Sequence, residues 1–422
     1  MNVLKNYLEK HSNYSPFIDE KPADGIKNIF VIPCCNEPEL LKTMESLKRC
    51  TKPQFPVEII VVVNSSESAE KEVVKQNSKT LIDLSNWSEK NCQNFKTYPI
   101  LIENVPHKNA GVGFARKTGM DEAVRRFQLS ENNKGIITCL DADSTVATNY
   151  LTEIEKLFSN NKNCNGCSIH FEHPANNDDF SEANNKRIAE YELYLRYYKL
   201  ALQFIGFPYY HFTIGSSFAV SVNAYCKSGG MNKRQAGEDF YFLQKVMPLG
   251  NYFALNTTTV YPSPRPSNRV PFGTGAFINQ YINSPDKEFL VYNFEAFLNL
   301  KQLFNDIELM YKSDIENINC LSQKYHFSLK TFLELNKFNE TVQLINSNSA
   351  QIDSFKKRFF QWFDAFKILK YLNFAHENFY KKEKIMESLK FYFNKKDESN
   401  MMIDNELDLL YKLRDIERNY IE

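Results

Sequence analysis

Tryptophan is almost missing from this chain, with two in 422 residues, and so is any excess of charge: 51 basic side chains meet 51 acidic ones. A protein that grips a nucleic acid backbone carries a clear basic surplus, so the balance argues against nucleic acid as a partner. No stretch approaches the ~20 consecutive apolar residues that cross a bilayer. The opening residues, MNVLKNYLEKHSNYS, lack the apolar centre of a secretory signal. The nine cysteines are odd in number and scattered, and Cys34, Cys139 and Cys226 lie inside apolar segments. A disulfide framework is therefore not expected, and reduced thiols in the cytoplasm are. Internal repeats and low-complexity tracts are also missing. What remains is an ordinary globular composition, 43% apolar and 24% charged, of a length that suggests two to three domains.

Residues 1–24 are polar and show little periodicity, which reads as a loose N-terminal extension. From Asn28 the texture changes. Ile29-Phe30-Val31-Ile32, Val57 to Val63, Pro99 to Ile102 and Gly135 to Leu140 are continuous apolar runs, the weakest being the third. Such runs suit strands buried on both faces, hence parallel ones. Between them, Glu37 to Arg49 and Gly113 to Phe127 carry apolar residues at helical spacing. This alternation predicts an open α/β sheet. A long helix is expected from Ser181 to about Phe204, and a strand from Thr213 to Val222. Tyr261 to Gly275 holds four prolines and two glycines and cannot be a regular element. Residues 276–422 read as all-helical. The expected division is thus 1–24, an α/β catalytic domain over 25–275, and a helical C-terminal domain over 276–422.

Ligands of open α/β sheets bind beyond the carboxyl ends of the strands. The polar residues there are Pro33-Cys34-Cys35-Asn36-Glu37, Asn64-Ser65-Ser66, Asn109-Ala110-Gly111 and Asp141-Ala142-Asp143-Ser144. Helix capping and turn formation explain any one of these ends, but four along one sheet edge are harder to explain that way. Asp141 and Asp143, one residue apart after a buried strand, can turn oxygens toward one Mg2+ or Mn2+. Gly111-Val112-Gly113-Phe114-Ala115-Arg116 fails as a dinucleotide fingerprint, because Arg116 stands where the third glycine belongs and the segment does not follow the first strand. It remains a glycine-rich helix entry suited to an anion. Glu238 and Asp239 open another helical pattern, where a carboxylate base can be held by a rigid helix terminus.

Taken in order, these pieces resemble glycosyltransferase family 2, nucleotide-diphospho-sugar enzymes with the Rossmann-like GT-A fold. IFVIPCCNEPELLKTMESL resembles the family's first strand, Pro-x-x-Asn-Glu loop and first helix. HKNAGVGFARKTGMDEA is similar to its Asn-x-Gly-x-x-x-Ala-Arg-x-x-Gly segment, CLDADS to its D-x-D, and SGGMNKRQAGEDFYFL to the region that supplies the base. The resemblance covers about residues 28–250. It implies an inverting transferase of a UDP- or GDP-linked sugar to a glycan or lipid-linked acceptor, in cell-surface glycan or glycolipid synthesis. Pro33, Asn36, Glu37 and Asn64 would line the nucleoside pocket, Asn109, Gly111 and Arg116 would border the donor, and Asp141 and Asp143 would hold metal and diphosphate. Asp239, with Glu238 beside it, would be the base. In one departure, the second strand ends in Asn64 where the family carries an Asp pair. The Gln-x-x-Arg-Trp motif of processive polysaccharide synthases is missing, which argues against a polymerising enzyme. A nucleotidyltransferase of related fold and a catalytically inactive sugar-nucleotide binder are the alternatives.

Other patterns have plainer explanations. Cys164, Cys167, His170 and His173 are zinc-type ligands, but strand alternation over Cys167 to Phe171 splits the set. Tyr191, Tyr194, Tyr197 and Tyr198 suit acceptor stacking and, more ordinarily, packing. Ser354 to Leu372 is a basic amphipathic helix that can touch an anionic membrane face, although most such helices face a core. Arg265 and Arg269, in the proline-rich segment, have the planar fork that recognises phosphate, so this segment is expected to cover the donor.

Overall fold

The computed structural model describes residues 3–11, 15–91, 95–176, 180–267, 273–282 and 287–420. Two compact units result: Met1–Ile188, His211–Asn283 and Arg414–Glu422 form the first, Ala189–Tyr210 and Ser284–Leu413 the second.

The elements that carry the first unit are α1 (Val3–His11), β1 (Asn28–Cys34), α2 (Leu40–Lys48), β2 (Val57–Ser66), α3 (Lys71–Asn91), β3 (Lys96–Val105), α4 (Val112–Leu129), β4 (Ile136–Cys139), β5 (Thr145–Val146) and α5 (Tyr150–Asn160). They continue with β6 (Gly166–Phe171), the first turns of α6 (Glu182–Phe204), β7 (Phe218–Ser221), α7 (Val222–Lys227), α8 (Glu238–Val246), β8 (Tyr252–Tyr261) and α9 (Thr274–Ile282). The eight strands form one sheet in the order β3-β2-β1-β4-β7-β6-β8-β5. The first four are parallel, as the continuous apolar runs predict. β7 runs antiparallel to both β4 and β6, β8 is parallel to β6, and β5 closes the edge antiparallel to β8. Ile29 through Ile32 of β1 have no solvent exposure, and each such side chain contributes about 1.5–3 kcal/mol of hydrophobic burial. The chain is thus α/β, with a helical region toward its C-terminus.

Several elements differ from the sequence reading, and β7 keeps only Phe218–Ser221 of the strand expected over Thr213 to Val222. β3 runs from Lys96 to Val105, well beyond Pro99–Ile102, and most of its residues face solvent at least in part. It is an edge strand with one neighbour, so only a short piece of it is apolar, and its proline is tolerated there. α3 was hidden because its buried stripe begins with Asn77 and Thr80 and becomes apolar only at Leu84 and Trp87. The stretch read as a loose extension contains α1, which buries Leu4 and Tyr7. Tyr7 and Tyr225 each donate a hydroxyl to Asp121 Oδ1 at 2.7 Å, and Lys117 Nζ binds Asp121 Oδ2 at 2.8 Å.

α4 is buried on nearly every side. A Cβ on its Gly119 would lie 2.5 Å from a methyl of Val31 and 3.1 Å from one of Val62, so glycine lets the helix rest directly on β1 and β2. The charged residues of α4 are accordingly paired. Arg126 meets Glu58 of β2 through Nε at 2.5 Å and Nη2 at 2.8 Å, and neither side chain is exposed.

The second unit is built from the rest of α6, from α10 (Phe294–Asn305), α11 (Ile307–Met310), α12 (Ile315–Ser322), α13 (Phe327–Leu335), α14 (Phe338–Ser347), α15 (Ile352–Trp362), α16 (Ala365–Asn378) and α17 (Ile385–Lys395), and from most of α18 (Glu406–Asn419). Two-residue strands, β9 (Leu290–Val291) and β10 (Glu383–Lys384), pair antiparallel. Aromatic rings fill this core. Tyr197 is fully buried and donates its hydroxyl to Tyr292 O at 2.7 Å, while Tyr194 and Tyr198 pack edge-on against Phe289 and Phe297. Phe355, Phe359 and Phe363, the aromatic stripe of the basic amphipathic segment, are buried within the unit. Among the described residues, no helix is long and apolar enough to cross a membrane.

Candidate active site

The carboxyl end of β1 is shaped by a left-handed residue. Asn36 adopts a φ of 50°, a conformation asparagine tolerates better than other side-chain-bearing residues. Its N–H donates to Asn77 Oδ1 at 2.8 Å, and Asn77 Nδ2 donates to Asn64 O at 3.2 Å. Asn64 Nδ2 in turn donates to Gly111 O at 3.3 Å. Asn77 therefore ties the ends of β1 and β2 together, and Asn64 carries the link to the start of α4. Pro33 is buried in β1 beneath this edge. Asn77 escaped sequence reasoning, and the only available signal was a pair of polar residues on the inward stripe of α3.

Beyond β4, the chain turns at Asp141, with Ser144 N–H donating to Asp141 O at 3.1 Å. Thr43 of α2 fastens the turn by donating to Ala142 O at 2.9 Å. With Ala142 turned inward at 5% exposure, the side chains of Asp141 and Asp143 stay 38% and 24% exposed. Arg265 reaches this turn from the proline-rich segment. Its Nη2 lies 2.5 Å from Glu37 Oε2 and 3.6 Å from Asp143 Oδ2, and its Nη1 lies 3.4 Å from Glu39 Oε2. Glu37, fully buried at the β1 end, also accepts from Glu39 N–H at 2.8 Å.

The glycine-rich entry to α4 is a close-packing device. A Cβ on Gly113 would lie 2.2 Å from Arg234 O, and one on Gly111 would lie 3.1 Å from the Gln235 Cα. The loop that leads into α8 thus lies directly on the start of α4, and Gln235 Nε2 donates across to His107 O at 2.7 Å. Asn109 lies in the adjoining turn, its N–H donating to Pro106 O at 2.8 Å.

Arg116, in the first turns of α4, joins two parts of this edge. Its Nη2 donates to Asp141 Oδ1 at 2.6 Å, and its Nη1 donates to Glu238 Oε1. Arg116 and Glu238 are each 2% exposed. Burial pushes the Glu238 carboxyl up to about 7, against the pull of Arg116 and with help from Asp239. Asp239 is raised as well, by burial first, with Arg116 opposing and Asp141 adding. Burial works against the Arg116 charge, but Glu238 and Asp141 outweigh it and hold the guanidinium protonated. Asp239 follows Glu238 at the start of α8 and accepts the Phe240 N–H at 2.7 Å.

The expected residues therefore fall into linked groups. Glu37, Arg265 and Asp143 form one, and Asp141, Arg116 and Glu238 the other, with Asp239 beside the second. Arg269 lies outside the described residues. The zinc-type residues do not gather. Cys164 Sγ contacts Gly166 O at 3.6 Å, His170 stands between Glu172 at 2.9 Å and Glu417 at 3.1 Å, and His173 Nε2 meets Thr274 Oγ1 at 3.0 Å. Among the described residues, no three His, Cys, Asp or Glu side chains are grouped so as to hold a metal ion by themselves. Mg2+ commonly uses one or two carboxylates and completes its shell with substrate phosphates and water, a role the half-exposed Asp141 and Asp143 fit.

Residues 29–227 match the family model of Glycosyl transferase family 2. No curated protein matches the sequence significantly. Among similar solved structures is that of S. aureus TarS 1-349 in complex with UDP-GlcNAc, 12% identical, with 83% of this chain and 90% of that chain covered at a TM-score of 0.38. Another is the mannosyltransferase PcManGT from Pyrobaculum calidifontis in complex with GDP-Man and Mn2+, 10% identical, with 82% and 93% covered at a TM-score of 0.35.

Proposed function

Since residues 29–227 match the family model of Glycosyl transferase family 2, we propose an inverting, metal-dependent transfer of a sugar from a UDP- or GDP-linked donor to an acceptor hydroxyl. The observation that carries this reading is the pair of arginine bridges. One sets Glu37 against Asp143, and the other sets Asp141 against the residue that precedes Asp239. In this reading the two bridges bring nucleoside-side groups, metal carboxylates and a base together.

In this reading Pro33, Asn36, Glu37 and Asn64 form the nucleoside side, while Asn109 and Gly111 border the donor. Asp141 and Asp143 would hold Mg2+ or Mn2+, which supplies charge neutralisation for the departing diphosphate. Arg265, already within reach of Asp143, turns its fork to the phosphate oxygens. Asp239 takes the proton from the acceptor hydroxyl, which is scarcely ionised at neutral pH, as that oxygen attacks the anomeric carbon. A glycan or lipid-linked acceptor, in cell-surface glycan or glycolipid synthesis, belongs to this reading.

A panel of UDP- and GDP-sugars with candidate acceptors tests it, with nucleoside diphosphate release and anomeric configuration measured together. Nucleoside diphosphate with an inverted product is the expected result. Retention overturns the single displacement, release of pyrophosphate indicates nucleotidyl transfer, and saturable binding without product indicates an inactive relative.

A further inference from the structure

Arg116 is placed unlike a donor ligand. Its guanidinium is 2% exposed, and both terminal nitrogens are taken by carboxylates of the protein, Asp141 on one side and Glu238 on the other. The cage around it is completed by a missing side chain. A Cβ on Gly215, in the loop before β7, would lie 2.6 Å from Nη2 and 2.8 Å from Nη1. Gly215 does not have a left-handed φ, so the space it leaves to the guanidinium, not its backbone conformation, is what requires glycine here.

We propose that Arg116 is a positioning residue: it holds the first carboxylate of the Asp141–Asp143 pair and the start of α8 in one fixed register, so that Asp239 is aimed at the donor, and it does not itself touch the donor. The inference rests on the reading of Asp239 as base. A guanidinium suits this task because its two terminal nitrogens have a fixed separation and angle, so two acceptors bonded to it cannot drift independently. A misplacement of about 1 Å in such a constellation costs on the order of 10²-fold in rate. Glu238 transmits the register to Asp239 through one peptide unit at the helix start, and Gly111 and Gly113 allow the preceding loop to lie against α4.

Arg116→Lys and Gly215→Ala test the proposal from two directions. The first keeps the charge and loses the fork, and the second keeps every charge and displaces the fork. Each is assayed with the donor that turns over fastest, and UDP is titrated calorimetrically without added metal, so that a displaced Asp141 does not weaken binding through the metal. The expected result is a fall in kcat of tenfold or more, with metal-free UDP affinity within about threefold of the unaltered protein. An affinity loss that matches the fall in kcat makes Arg116 a donor ligand and overturns the proposal. An unchanged kcat with a lowered Tm makes it structural only and overturns it equally. Backbone hydrogen exchange reads the same coupling without turnover. Residues 141–144 and 237–241 should lose protection together in Arg116→Lys, and a response in only one segment overturns the proposal. If the unaltered protein turns over no donor while both segments respond, the assigned activity fails and the coupling stands.

Discussion

At the residue scale, the carboxylates divide by surroundings. Asp143 keeps partial access to solvent and does not belong to the hydrophobic core, so its removal should spare the fold, whereas Asp141 is tied to the buried Arg116. Asp143→Ala is expected to abolish metal-dependent turnover with little change in Tm, and thermal melting beside an assay with and without chelator checks both halves. Asp239 is raised by its burial. As the proposed base it would work deprotonated, so turnover should rise with pH through its folded value and be lost on the acid side at a pH above the ordinary aspartate range of ~3.9. Asp239→Asn should lower kcat by about 10²–10⁴-fold and remove that acid limb from the pH profile. Arg265 pairs with Glu37 and Asp143, so Arg265→Ala should weaken UDP binding more than uridine binding, as calorimetry with the two ligands would read. Equal losses would return its segment to the role of a connector. The placement of Asp141 and Asp143 in a turn after β4 was legible because a buried strand leads straight into them. Asn77 and Gly215 were not, since a lone Asn in a helix and a lone Gly in a loop become informative only when their neighbours are known.

At the element scale, the parallel strands β1, β2 and β4 were legible because burial on both faces leaves a continuous apolar run. β3, α3 and α1 were obscured for a common reason. Each spends part of its inward face on polar contacts or leaves it in solvent, so the pattern that marks an element is diluted. α1 gives a direct test. Tyr7 is one of three donors on the buried Asp121 carboxylate, and hydrogen bonds to charged groups contribute about 1.5–3 kcal/mol. Tyr7→Phe should lower stability by about that amount in urea denaturation, whereas a loose extension would give no change.

At the scale of the whole molecule, the helical region was legible as helical but not as a unit, because its boundary depends on contacts between distant segments. The chain leaves the first unit after Ile188, returns at His211, leaves again after Asn283 and returns at Arg414. The last return is more than a tail. Arg414 is 4% exposed, donates to His173 O at 2.7 Å and lies 3.7 Å from Glu172, while Arg418 lies 2.9 Å from Glu172. Arg414→Met should destabilise the protein by about 3–5 kcal/mol, the usual effect of removing one member of a buried ion pair, as denaturant unfolding would measure. The same threading bears on how the protein is made. Domains generally fold as they emerge during synthesis, N-terminal first. Here the first unit cannot follow that order to completion. All eight strands of its sheet have been translated once β8 has left the ribosome, yet the contacts of Glu172 and His170 with Arg414, Glu417 and Arg418 can form only after the helices α10 to α17 have been translated. The unit that carries the proposed site is begun first and finished last.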